Sequence, residues 1–228
     1  LAVPAGGGSG GATQARMRKD EMMETGSSTP TETARGETRR AQVLDAATEC
    51  FMRHGFHGAS IAEISKAAGM SVGHIYHYFE NKDAIIAAIV ERDLQNTLAI
   101  TRDLLDKSQG RDVFETMIED VDEGVDQCIY RPDAALMLEV VVEAARNPKI
   151  AEIVRRADEV VQAQFRSIIV AGHKARNRNL SEAEIDGQLE AISALFEGLT
   201  IRYVRRPTLD RTAIVEATRR ALRKILDV

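Results

Sequence analysis

Long apolar runs are missing from this sequence. The longest spans residues 84–90, AIIAAIV, far short of the ~20 residues that cross a bilayer. No basic-then-apolar leader precedes it, so a reduced cytoplasmic compartment and no membrane partner are the expectation for a bacterial chain. Cysteine is scarce: Cys50 and Cys128 are the two present, with neither CxxC nor metal-ligand spacing. Both fall in apolar helical patterns and read as buried, inert thiols. Net charge is also small, −5 at pH 7, which excludes a histone-like positive coat; any nucleic-acid contact must come from locally placed residues.

Chemistry-bearing motifs are absent as well. There is no nucleophile elbow, P-loop, zinc-helix motif or dinucleotide fingerprint, so neither an enzyme nor a cofactor is expected. His54-x-x-His57 and His74-x-x-His77 have helical chelate spacing, but no cysteine or carboxylate completes either pair, and no metal site is expected. Sustained period-2 alternation is missing too, which excludes a sheet.

What the 228 residues do contain is helix. Residues 1–34 are Gly/Ala/Ser-rich and then polar, the composition of a tail, a vector-derived linker or an early start; Arg16, Arg18 and Lys19 could also serve a minor-groove arm. From Thr38 onward the spacing predicts an all-α chain of roughly nine helices. The first covers about Glu37 to His54, with Val43, Leu44, Ala47, Cys50 and Phe51 on one face. Ser60, with Glu63 three residues on, forms a capping box and opens a short helix ending at Gly69. Ser71 caps a third helix that ends near Phe79, and Asn81 caps a long fourth, Lys82 to about Lys107. Further helices are expected at 111–130, 132–146, 149–176, 181–204 and 210–226, with Pro132, Asn147-Pro148 and Pro207 among the stops. The expected division is a tail over 1–34, a helix-turn-helix DNA-binding head over 35–82, and an effector-binding and dimerisation bundle over 83–228.

A short helix, a glycine turn and a second short helix are the parts of a helix-turn-helix. Gly69 relieves the steric cost of the steep crossing, and Ile61, Ile64 and Ile75 supply the small core between the helices. Val72, Gly73 and His74 occupy the first turn of the third helix, the part that enters a major groove most deeply. Gly73 costs about 1 kcal/mol against alanine inside a helix, a cost offset if backbone must approach DNA closely. Tyr76, His77 and Tyr78 can donate to phosphate oxygens, although one of the two tyrosines could instead pack on the first helix.

The stretch RRAQVLDAATECFMRHGFHGASIAEISKAAGMSVGHIYHYFENKDAII, Arg39 to Ile86, resembles the TetR/AcrR family of bacterial transcriptional regulators over about a fifth of the chain. The order G-F-x-G-x-S, I-A-x-I-x-x-A-A-G-x-S-x-G, Y-x-Y-F, N-K carries the likeness. The resemblance implies phosphate contacts from Ser60, Ser71, Tyr76 and Lys82, and base or groove contacts from Val72, Gly73, His74 and His77. The family often has histidine where this chain has Tyr78, which can donate to phosphate but never becomes cationic.

The resemblance also implies a homodimeric, ligand-responsive repressor of double-stranded operator DNA. Its C-terminal helices would form a pocket for a small hydrophobic or amphipathic effector, and its last two would pair with a second subunit. The pattern fits: Ile185, Leu189, Ile192, Leu195, Phe196 and Leu199 form one stripe, and Ile214, Val215, Ala221, Leu222 and Ile225 another. Either stripe could equally serve an intramolecular core. Phe114, Met117, Met137 and Phe165 are candidate pocket residues. Glu139 and Glu143 lie one turn apart on a nearly all-apolar helix. They could face a pocket and favour a cationic effector, or form an outer strip with Glu143 paired to Arg146. The alternative function keeps the fold and gives the C-terminal part a protein partner instead of a small molecule.

Overall fold

The computed structural model describes residues 32–130 and 134–228. Residues 1–31 of the expected tail, with Arg16, Arg18 and Lys19, and the stop at Pro132 fall outside the described residues, while residues 32–34 of that tail open a helix. The chain divides into two compact units, Leu1–Thr38 and Arg39–Val228. Of the first, only the opening turns of a helix are described, where Thr38 Oγ1 donates to the Ala34 carbonyl at 2.8 Å.

Ten helices and no strand are present among the described residues: α1 Glu32–Gly58, α2 Ile61–Ala67, α3 Val72–Tyr78, α4 Lys82–Lys107, α5 Val113–Glu119, α6 Val121–Ile129, α7 Ala134–Ala144, α8 Pro148–Ala175, α9 Glu182–Arg205 and α10 Arg211–Leu226. The caps read from sequence are made. Ser60, Ser71 and Asn81 each accept from a backbone N–H in the first turn of the helix they precede, which satisfies donors with no intrahelical partner; Ser181 does the same for α9.

Two boundaries differ from the sequence reading. α1 begins at Glu32 rather than Glu37 and continues past His54 through a kink at Gly55 (φ 68°, ψ 169°), a backbone region that strongly favours glycine. The single helix expected over 111–130 is two, broken at Asp120. No glycine or proline marks that break. It coincides with a tertiary cluster in which Lys107 Nζ lies 2.9 Å from Asp120, 2.9 Å from Asp103 and 3.1 Å from Glu123.

Two apolar cores follow from the stripes. One gathers α1–α3 around Phe51, Ile64 and Ile75, takes in Ile85, Ile86 and Ile89 of α4, and receives Leu136 and Val140 from α7 and Ile150 from α8. The other joins α5, α6, α8, α9 and α10 through Phe114, Ile118, Val125, Ile169, Leu189 and Leu222. α8 supplies both cores, Ile150 to the first and Ile169 to the second, and so joins the N-terminal head to the bundle. The α10 stripe is spent inside this second core: Val215, Leu222 and Leu226 are buried, and Ile214 and Ile225 pack against it.

Candidate nucleic-acid interface and ligand cavity

The capping box at Ser60 is complete: its Oγ accepts the Glu63 N–H at 3.2 Å, and Glu63 Oε2 accepts the Ser60 N–H at 2.8 Å. The Ser60 backbone N–H foremost, then the Ser60 hydroxyl, which also donates to Glu63 Oε2 at 3.0 Å, hold the Glu63 carboxyl below its ordinary range. At the far end of α2, Gly69 turns the chain with φ 63°. Gln42 of α1 donates to the Ala68 carbonyl at 2.8 Å and anchors that turn. Ile64 and Ile75 are fully buried between the helices, which fixes the rotation of α3 about its axis.

That rotation turns Val72, Gly73, His74, Tyr76 and His77 outward, all exposed. A Cβ added at Gly73 would meet nothing within 4 Å, so no intramolecular packing requires glycine there. The two tyrosines separate. Tyr76 is 52% exposed, whereas Tyr78 is half-buried against the head core and stacks on His74 at 5.5 Å and 22°. Tyr78 thus links the outward-facing His74 to the head core. Ser71 Oγ accepts the His74 N–H at 3.2 Å.

Lys82 is tied into the head. Its Nζ donates to the carbonyls of Phe56 (2.8 Å), Ala59 (3.0 Å) and His57 (3.4 Å), and lies 4.7 Å from the Phe56 ring centroid. These are the loose carbonyls where α1 ends, and a charged donor satisfies them well. Lys82→Met is expected to lower stability by about 2 kcal/mol, read as a shift in the urea midpoint. An unchanged midpoint would make Lys82 an ordinary solvated cation.

Below the head, α4–α9 enclose a cavity of about 560 Å³, within the usual range for small-molecule sites. Leu94 of α4, Val121 of α6, Met137 of α7, Val161 and Phe165 of α8 and Phe196 of α9 line it, with Met117 from α5. α6 and α9 close one side tightly: an added Cβ on Gly124 would sit 3.0 Å from the Phe196 ring.

Residues 43–89 match the model of bacterial regulatory proteins of the tetR family, and residues 121–227 match the C-terminal domain of BetI-type transcriptional repressors. The chain belongs to the tetR family. The HTH-type transcriptional regulator UidR of Escherichia coli K12 is 33% identical over 116 residues, which are 51% of this chain and 57% of UidR; the match spans little more than half of that relative. Salmonella enterica GusR superposes with a TM-score of 0.67 at 24% identity, covering 84% of this chain and 96% of GusR. FadR from Bacillus subtilis, solved in complex with stearoyl-CoA, has a TM-score of 0.64 at 15% identity, covering 80% and 96%. At those identities the superpositions establish the fold. The matched proteins are transcriptional regulators, and the family is not enzymatic.

Within this tetR-family fold, three of the residues expected around an effector do meet: Met117, Met137 and Phe165 line the cavity. Three do not. Phe114 is fully buried in the second core, edge-on to His173 at 4.9 Å. Glu139 and Glu143 turn toward the head instead. Glu139 is exposed with its Oε2 beside Gly55. Glu143, 5% exposed, receives His57 Nε2 at 2.9 Å and Asn147 Nδ2 at 3.2 Å, so its partner across the helices is His57 rather than Arg146. The half of α7 that carries Val140 serves both regions, since that residue lies in the head core and on the cavity wall. No local pattern marks His57 as the partner of Glu143, because the pair forms only when α7 crosses the end of α1.

Proposed function

We propose that this tetR-family member is a homodimeric repressor that binds operator DNA through α3 and leaves it when a small hydrophobic or amphipathic effector fills the cavity. In this proposal residues 35–82 form the DNA-binding head, residues 83–228 form the effector-binding and dimerisation part, and the protein works in the cytoplasm. Carrying the proposal is the outward face of α3, where Val72, Gly73, His74, Tyr76 and His77 are all exposed while Ile75 alone is buried. Val72, Gly73, His74 and His77 would meet bases or the groove. Ser60, Ser71 and Tyr76 would contact phosphate, as would Lys82 through its backbone N–H at the start of α4, its ammonium being taken up by the end of α1, with Tyr78 bracing His74. α4 supports the coupling: it contributes Ile85, Ile86 and Ile89 to the head core and Leu94, Thr97 and Leu104 to the cavity. A ligand that displaces α4 or α7 moves the head, to the extent that the displaced state binds that ligand more tightly.

Burial of the α10 stripe in the second core favours a dimer face other than the one suggested by the last two helices. Exposed instead are Val160, Ala163, Ser167, Val170 and Ala171 of α8, beside Gly187, Ala191, Ala194 and Ile201 of α9. Small residues let two helix pairs approach closely, and an exposed apolar strip of this kind marks an association surface. The test is selection of bound DNA from a random pool, combined with light scattering. Expected is an inverted repeat with half-sites about one helical turn, or a multiple, apart. Ala194→Arg should leave a folded monomer that loses this repeat. A dimer that persists in Ala194→Arg removes the α8/α9 face, and enrichment of no sequence removes DNA reading.

A further inference from the structure

Charge is distributed one-sidedly around the cavity. Its lining includes Asp93, Asp103, Asp120, Glu123, Asp158 and Glu197, with no lysine, arginine or histidine among the described lining residues. Lys107, outside the lining, already compensates Asp103, Asp120 and Glu123. Asp158 of α8 and Glu197 of α9 line the same cavity and have no such cation among the described residues. Burial, then the negative charges of Asp158 and Glu190, push the Glu197 carboxyl above its ordinary range. Around these carboxylates the wall is apolar, and Phe165 and Phe196 offer ring faces.

An anionic ligand entering this space would lose water and gain only like charges. A neutral lipophile would gain burial alone. A cation with an apolar body gains burial, relieves the repulsion between Asp158 and Glu197, and can rest against an aromatic ring. We propose that the cavity selects lipophilic monocations, quaternary or protonated amines on an apolar body, with Asp158 and Glu197 as the residues that set this preference. The proposal rests on the assignment of the cavity as the effector site.

Three probes with one chain and different head groups test it: decyltrimethylammonium, decanol and decanoate, each titrated calorimetrically below its micellar concentration into the full chain. Decyltrimethylammonium should bind at least ~10-fold more tightly than decanoate. In Asp158→Asn/Glu197→Gln that ratio should fall to within about 3-fold while decanol affinity holds. Neither substituted residue belongs to an apolar core, and circular dichroism would check that the variant folds. Decanoate binding as tightly as the cation, or a ratio unchanged in the double variant, overturns charge selection and leaves the effector cavity standing. Binding by none of the three overturns the effector cavity as well.

Discussion

Gly73→Glu should abolish operator binding, by on the order of 100-fold or more, without unfolding the head. The reasons for the two halves of that result are separate. Position 73 lies in the first turn of α3, on the face turned to solvent. A side chain there would project into the groove, and its carboxylate would oppose phosphate charge. Inside the protein the same side chain meets open space, since a Cβ at this position finds no neighbour within 4 Å. An acidic residue near a helix N-terminus stabilises by about 0.3–1 kcal/mol, and removing glycine from a helix adds up to about 1 kcal/mol. The melting temperature should therefore stay level or rise while affinity collapses. Gly73→Ala should show the same split more weakly. Fluorescence anisotropy on the selected operator and thermal unfolding read the two quantities. Intact operator affinity in Gly73→Glu would remove α3 as the reading helix.

Phe114→Ala should cost about 3–5 kcal/mol, the usual loss for a fully buried phenylalanine, and lower the melting temperature by roughly 10 °C. Phe114 is 0% exposed. Its ring fills the space left by Gly172, where an added Cβ would overlap it, and is flanked by His173 at 4.9 Å and the Arg176 guanidinium at 5.4 Å. Arg176 reaches on to Asp112 at 2.6 Å, so the end of α8 is clamped onto the start of α5. Emptying the ring site would loosen that clamp together with the core. Gly172→Ala probes the same contact from the other side and should destabilise by overpacking, about 1–3 kcal/mol. A Phe114→Ala variant with wild-type stability and altered ligand binding would restore this residue to the cavity.

The contrast between those two glycines shows what a sequence can carry. Gly73 stands out in sequence because it sits in a helix whose caps and core positions are already assigned, and the structure finds no packing reason for it. Gly172 carries no such mark, because what forbids a side chain there is a ring from a helix more than fifty residues away. Cys50 behaves as its apolar pattern implies: it is buried in the head core, and burial above all pushes its thiol up.

The helix-turn-helix was legible because its determinants are local. A cap serine, a capping-box glutamate, a glycine with positive φ and isoleucines at helical spacing all act within a few residues, and their hydrogen bonds are made as their order implies. Beyond the head, amphipathic stripes state that a helix has a buried side but not what buries it. Thus the apolar face of α10 lies within the bundle, and the exposed apolar faces belong to α8 and α9. Glu143 met His57 instead of a cavity, and Lys82 met three carbonyls at the end of α1. Local sequence therefore determined the all-α fold and the residues that α3 presents. Only the tertiary structure decided which carboxylates line the cavity and which side chains join the bundle to the head, because those contacts depend on how distant helices cross.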